Sequence, residues 1–438
     1  MSDREKGGYL PGAQAGFLLF CLVLAYIFSF IDRQILALLV TPIKASLGLS
    51  DFRIGLVQGP AFSVFFCIAA IPVGWLIDRF DRRLIVVGGL AMWSVATAMC
   101  GLVGGFATLF MARMFVGIGE AVLSPAAYSI IPDAFPPERI VRANAIYSLG
   151  SIIGTGLAFL FGGSVITLVT GLGDLPFGLE PWRLTFMAAG SLGLFAIVAL
   201  LIAREPPRPF VRDAGAPSLA EGLRYIWGRR ADYLPLYFTS AFLSMTAYAG
   251  LLWYPTHLFR IFAMPPADAG FIIGTVMLTV APFGTVMTAL ATEHLARRGQ
   301  TDAPVRILVA LSLLIIPGTL CSLVSDLRLS LVLFSIMAFC QGGFAANVIA
   351  AIQFITPSRV RGLNGSIYVL VLTLGSVGIG ATLVGGISDG LFHDRPNGLS
   401  LAMAIVGCGA GIGAVLSSRY ALGRFRAAVA RTGGLPEA

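Results

Sequence analysis

The chain has 438 residues, 57% of them hydrophobic and only 12% charged, with a mean hydropathy of +0.87. Such values exclude a water-soluble globular domain and imply an integral, multi-pass membrane protein. The formal charge of +8 is spread in twos and threes of basic residues between apolar runs, and no block could track a phosphate backbone, so nucleic acid is not an expected partner.

Cys21, Cys67, Cys100, Cys321, Cys340 and Cys408 all fall inside apolar runs without CxxC or metal spacing. They read as small packing residues. His257, His294 and His393 form no HExxH or Ser/His/Asp arrangement. No disulfide, metal, cofactor or enzymatic activity is therefore expected.

The first apolar run, about residues 15–40, is too long for a signal-peptide core and lacks a small-residue cleavage site, so it stays as a membrane helix. It carries YIFSFIDRQ, with Tyr26, Asp32 and Arg33. Adjacent helical residues point in different directions, so Asp32 and Arg33 serve different contacts. Thr41-Pro42 is read as the end of this helix, followed by a short loop with Lys44, Asp51 and Arg53. A second run, about 54–77, ends in the polar loop GWLIDRFDRR, Gly74 to Arg83.

Runs at about 84–103, 107–131, 143–167 and 182–203 complete the first half. The run at 107–131 holds RMFVGIGEA, Arg113 to Ala121. Arg113 and Glu120 are seven residues apart, about two helical turns, and point to nearly the same side. Ionisable groups at bilayer depth cost a few kcal/mol or more, so they normally face a bundle interior or a watery cavity and mark a path for ions or substrate. The alternative is an Arg–Glu network that only holds helices together. Gly117 and Gly119 between them would let another backbone approach closely.

Residues 204–232 are the one long polar segment. REPPRPF cannot continue a helix, while SLAEGLRYIWGRR has helical spacing and reads as a short amphipathic helix on the membrane face. Six more runs follow, at about 234–258, 267–291, 305–325, 329–355, 364–388 and 399–420. The expectation is an all-α protein of twelve membrane helices. Residues 1–203 would form an N-terminal six-helix bundle, 204–233 a cytoplasmic linker, 234–420 a C-terminal bundle and 421–438 a cytoplasmic tail. Placing both termini in the cytoplasm puts most arginines inside and leaves Lys44, Arg53, Arg183, Arg260, Arg328 and Arg395 in outer loops, as the positive-inside rule requires.

The halves repeat one another. LGSIIGTGLAFLFGG at 149–163 recurs as LGSVGIGATLVGG at 374–386, and RANAIY at 142–147 as RGLNGSIY at 361–368. The Gly74–Arg83 loop recurs in worn form, with Glu293 in place of Asp78 and Arg297-Arg298 in place of Arg82-Arg83. Such repeats are the mark of parallel six-helix transporter halves. The tenth run has CQGGFAAN, with Gln341 and Asn347, where the fourth has its charges. Deep charges thus belong to the first half. Tyr248, Trp253 and Tyr254 in AYAGLLWYPTH are aromatic candidates in the second, with packing or interfacial anchoring as the other reading.

The Gly74–Arg83 loop resembles the signature loop of the major facilitator superfamily. That resemblance implies a cytoplasmic gate at Gly74, Asp78, Arg79, Arg82 and Arg83, with Glu293 and Arg297 in the second copy. Asp78 would dock at the start of the eleventh helix, and the arginines would set topology. FIDRQ, GLVQGPAF, GWLIDRFDRR and RMFVGIGEA together resemble the Spinster branch, which implies an amphiphilic cargo with an acidic head group, such as a lysophospholipid or sphingoid phosphate. Asp32 resembles that branch's protonation site, and Glu120 is a second carboxylate able to exchange protons. Arg113 is the expected anion contact, because a guanidinium fork binds phosphate or carboxylate strongly in a low-dielectric cavity. Arg33 would pair with a carboxylate and be released on its protonation. The alternatives are a proton-coupled symporter of small organic anions or a multidrug antiporter. GSIIGTG stands where many antiporters carry a Gly-Pro signature, which leaves the exchange direction open. A monomer in a bacterial inner membrane, with protons and the bilayer as its other partners, completes the expectation.

Overall fold

The computed structural model describes residues 10–171, 178–207, 219–357 and 360–431. No strand occurs among them; every element is helical. Eleven straight or broken helices are long and apolar enough to cross a membrane. The remaining span of the expected twelve corresponds to α10 (Arg230–Phe262), 33 residues long, whose central stretch carries Tyr237, Thr239, Ser240, Ser244, Thr246 and Tyr248.

α1 (Gly12–Leu47) does not end at Thr41-Pro42 as expected. It continues through Pro42 and closes at Gly48, whose φ of 61° is the left-handed conformation glycine adopts without strain. A proline inside a membrane helix is tolerated where neighbouring helices compensate the lost hydrogen bond. α2 (Asp51–Gln58) starts at a Ser50 cap, whose hydroxyl accepts from Arg53 N at 3.3 Å, and breaks at Gly59 before α3 (Pro60–Arg79).

α4 (Arg82–Cys100) is followed by a second broken span, α5 (Phe106–Glu120) and α6 (Leu123–Ala134). Its break has a local cause. Pro125 has no N–H for the Ala121 carbonyl and its ring crowds that carbonyl, so α5 stops there and Glu120 becomes its last residue.

α7 (Pro137–Gly171) and α8 (Pro181–Ile202) complete the first half, and RANAIY lies inside α7 rather than ahead of it. The amphipathic helix expected in the linker is α9 (Leu219–Gly228). Beyond α10 come α11 (Pro266–Arg297), α12 (Ala303–Thr319) and α13 (Leu327–Phe354). The eleventh span is α14 (Arg361–Thr373), a π-helical turn (Leu374–Ile379) and α15 (Gly380–Leu391); α16 (Gly398–Arg431) is last. LGSVGI forms the π-helical turn, whereas its counterpart LGSIIG lies in the regular α7. The two copies match in sequence and differ in helix geometry.

The chain divides into two compact units, residues 1–212 with 264–278, and residues 213–263 with 279–438. In the first, Leu18, Leu22, Ala25, Trp93, Ala126, Ile130 and Tyr147 form a buried core, with Tyr26 stacked on Tyr147 at 4.5 Å. In the second, Trp253 donates from Nε1 to the Ala381 carbonyl at 3.1 Å, and Tyr254 stacks on Phe334 at 4.2 Å and hydrogen-bonds Ser330 at 2.7 Å. Both aromatics are fully buried packing residues, not interfacial anchors.

Candidate transport site

Two helices of the first unit bring the deep charges together. α1 supplies Asp32 and Arg33, and α5 supplies Arg113 and Glu120. Their pairing is crossed: Arg33 Nη2 lies 2.6 Å from Glu120 Oε2, and Arg113 Nη1 lies 3.5 Å from Asp32 Oδ2. The divergence of adjacent helical residues produces this, since Asp32 and Arg33 face different parts of α5. Ser29, one turn before Arg33, donates to the same Glu120 oxygen at 2.7 Å. Asp32, Arg113 and Glu120 are each about 1–2% exposed, and burial at this level is compatible with charge only when the groups are paired.

Phe62 of α3 lies close to both arginines. Its ring centroid lies 4.4 Å from the Arg33 guanidinium carbon and 5.8 Å from that of Arg113, while Phe30 covers Arg33 at 4.6 Å. Ring faces attract cations, so one aromatic holds two like charges near each other. Gly117 makes the approach possible: a Cβ there would sit 2.5 Å from the Phe62 carbonyl oxygen. Gly119 does the same toward α4, where a Cβ would be 2.7 Å from Gly89 O and 2.8 Å from Trp93 N. Both glycines of RMFVGIGEA thus admit a neighbouring backbone.

The pairs leave hydrogen-bonding capacity in reserve. Among the described residues, neither oxygen of Asp32, nor Oε1 of Glu120, nor Nε and Nη1 of Arg113 has a direct hydrogen-bond partner. Buried polar groups are normally satisfied, and a departure from that marks a place where another species can be accommodated.

The other expected site residues are placed as follows. Tyr26 packs between Tyr147 and Phe30, with ring centroids 4.5 and 5.1 Å away. In the second unit, Tyr248 and Gln341 are half-buried. Asn347 is buried, accepting from Thr292 Oγ1 at 2.6 Å and donating to Gly343 O at 2.8 Å. Glu293 and Arg297 form an exposed pair at 2.5 Å along one helix face.

In the signature loop, the Asp78 side chain lies outside the described residues, and a Cβ on Gly74 would meet nothing within 4 Å. Arg79 lies over Trp75 at 4.1 Å. Arg82, expected in the gate among the arginines that set topology, is 2% exposed. It donates to Glu205 at 2.6 Å, to the Ser129 carbonyl at 2.9 Å and to Asp133. Arg83 joins through its backbone N–H to Glu205 at 2.9 Å and its side chain to the Ala203 carbonyl at 2.5 Å. A buried arginine needs this many acceptors, since its five donors cannot be neutralised by deprotonation.

Ser29, Phe62, Asp133 and Glu205 are participants that sequence reasoning missed. Asp133 and Glu205 carried a usable signal, being acids at the ends of apolar runs with no charge of opposite sign assigned to them. Phe62 closes GLVQGPAF, one of the segments that carry the resemblance, but as one of 31 phenylalanines it had no spacing that assigned it to the arginines.

The chain is similar to known membrane proteins along most of its length. The chain is 27% identical over 380 residues to an MFS-type efflux pump of Mycolicibacterium smegmatis, covering 85% of this chain and 84% of that one. It is 23% identical over 406 residues to the D-galactonate transporter of Escherichia coli, covering 87% and 90%. Human protein spinster homolog 1 is 31% identical over 218 residues, 48% of this chain and 39% of that protein. A crystal structure of a bacterial homolog of the human lysosomal transporter Spinster, in an inward-facing and unoccupied conformation, superposes with a TM-score of 0.82 at 23% identity, over 95% of this chain and 98% of that one. The Major Facilitator Superfamily profile matches residues 22–380, and the chain belongs to that family of membrane transporters, with a resemblance to its Spinster branch.

Proposed function

We propose that this transporter works by alternating access, couples to protons and moves an amphiphilic anion such as a lysophospholipid or sphingoid phosphate. The observation that carries the reading is the crossed pairing of Asp32 with Arg113 and Arg33 with Glu120, which is buried and under-bonded at once. Protonating Asp32 removes the charge that holds Arg113 and frees a guanidinium fork for a phosphate or carboxylate. Binding of that anion in turn weakens the hold of Arg113 on Asp32. The two ligands therefore communicate through one arginine, which is coupling in the thermodynamic sense. Glu120 is the second proton-exchanging carboxylate, with Arg33 as its countercharge. Tyr26, Tyr248, Gln341 and Asn347 are proposed to contact cargo, and Gly74, Asp78, Arg79, Arg82, Arg83, Glu293 and Arg297 to form the cytoplasmic gate. A monomer in a bacterial inner membrane with both termini cytoplasmic is the setting.

A second reading, proton symport of small sugar acids, is favoured by the length of the similarity to the D-galactonate transporter, 87% of this chain. The same residues serve it, with Arg113 holding a carboxylate.

The deciding experiment is proton-driven flux in proteoliposomes, comparing a fluorescent lysophospholipid with D-galactonate and other organic acids. Wild type, Asp32→Asn and Arg113→Ala are compared. Lipid flux that responds to a pH gradient and is uncoupled by Asp32→Asn sustains the first reading; flux of small acids alone replaces it with the second.

A further inference from the structure

The linker helix α9 sits at the end of two membrane spans. It leads through Arg229 into α10, and a Cβ on its Gly222 would be 2.6 Å from Leu363 Cδ2, at the start of the eleventh span. Its faces are sharply divided. Gly222 and Ile226, four residues apart, are buried against the unit. Leu223 and Trp227, on the neighbouring stripe, are 44% and 68% exposed. An exposed Leu–Trp pair on a water-facing helix would be an aggregation liability, whereas beside a bilayer it is an anchor at the headgroup level.

The charges around that stripe are mostly positive. Arg224 and Arg230 are exposed, with Arg230 lying 5.4 Å from the Trp227 ring and donating to the Trp227 carbonyl at 3.1 Å. Arg229 stacks on Tyr225 at 5.0 Å. The end of α16 joins them: Asp232 accepts from Arg424 at 2.8 Å and from Arg431. Among the described residues, Arg224, Arg229 and Arg230 at this corner are joined by Arg424 and Arg431 through Asp232, with Glu221 the other carboxylate of α9.

We propose that α9, with the start of α10 and the end of α16, is a docking site for anionic phospholipid headgroups. Leu223 and Trp227 enter the acyl boundary, and Arg224 and Arg230 hold lipid phosphates. Arginine is suited to this because its fork matches phosphate oxygens, and each basic residue at an anionic surface strengthens binding about fivefold. The site holds the linker to the leaflet and is separate from the charge cluster of α1 and α5, so it stands or falls independently of the cargo.

Two measurements on the full chain test it. In the first, thermal unfolding is followed in nanodiscs of phosphatidylcholine with and without one quarter phosphatidylglycerol. The wild type should gain a few degrees from phosphatidylglycerol. Arg224→Gln/Arg230→Gln should lose at least half of that gain while unfolding at the wild-type temperature in pure phosphatidylcholine, and Arg395→Gln, an exposed arginine beyond the far end of the eleventh span, should keep it. Equal gains in wild type and double variant overturn the proposal, as does a double variant already destabilised without phosphatidylglycerol. In the second, a nitroxide at Trp227→Cys in proteoliposomes should collide more with oxygen, which partitions into lipid, than with a water-soluble nickel chelate. The reverse order places Trp227 in water or under another protein and rejects the membrane as the occupant.

Discussion

Arg33 reaches past its own neighbour Asp32 to pair with Glu120 at 2.6 Å, leaving Asp32 to Arg113 at 3.5 Å. The tighter pair is also bound by Ser29, which donates to Glu120 at 2.7 Å, whereas neither Asp32 oxygen has so short a hydrogen bond. The Asp32–Arg113 contact is thus the one more easily opened, and the Arg33–Glu120 contact the one that ties α1 to α5.

That asymmetry can be measured through stability. Glu120→Gln leaves Arg33 with a neutral partner in a buried site, and removing one partner of such a pair costs about 3–5 kcal/mol. The double variant Arg33→Gln/Glu120→Gln should recover more than about 1 kcal/mol of the summed single losses. Unfolding temperatures of the four proteins in one detergent check this; strict additivity would show that the contact stabilises nothing.

Phe62 predicts a second effect. Replacing it by Leu keeps the apolar volume and removes the π-face that lies 4.4 Å from Arg33 and 5.8 Å from Arg113. The loss should be about 1–2 kcal/mol of stability, with Phe62→Tyr retaining most of it. Flux should follow the same order, because both arginines then lose the ring that attracts them. Equal behaviour of Leu and Tyr at this position would remove the cation–π account.

The fold was legible because a membrane imposes long apolar runs and the internal repeats doubled the loop and small-residue signals, and the charges were legible because each of them is costly in lipid. Pairing was not legible. Sequence spacing placed Arg113 and Glu120 on one face of α5, but only the packing of α1 against that face decides that each takes a partner from the other helix. Helix ends were missed where proline acts in context: Pro42 is absorbed into α1, whereas Pro125 ends α5. The burial of Arg82 was not legible because its acceptors, Asp133 and Glu205, are 51 and 123 residues away.

Adjacent glycines on α4 give a controlled test of close packing. A Cβ on Gly89 would lie 2.7 Å from the Gly119 carbonyl oxygen, and one on Gly88 would meet nothing within 4 Å. Gly89→Ala should therefore destabilise by about 1–3 kcal/mol, since backbone has to shift. Gly88→Ala should be neutral or stabilise by up to about 1 kcal/mol, from helix propensity alone. Gly117→Ala, 2.5 Å from Phe62 O, belongs with Gly89→Ala and should also lower flux. Thermal unfolding of the three single variants checks the order.

Outside the membrane, Asp302 fastens α16 to the start of α12. Its carboxylate accepts from Arg306 Nε at 2.8 Å and from Arg426 Nε at 2.5 Å. Burial pushes its carboxyl up, but the two arginine hydrogen bonds outweigh burial and hold it below the usual carboxylate range. A group with a depressed folded pKa contributes stability that is present above its unfolded pKa and lost as pH falls through the folded one. The contribution should therefore be constant at neutral pH and decline only below about pH 4, the unperturbed aspartate value. Both arginines are 42–52% exposed, so screening limits the total to about 1 kcal/mol. Asp302→Asn should lower the unfolding temperature slightly at pH 7, and that difference should shrink as the pH falls below about 4 and as salt is added at pH 7. A difference that grows on acidification would mean that Asp302 carries a proton in the folded protein and that α16 is held by something else.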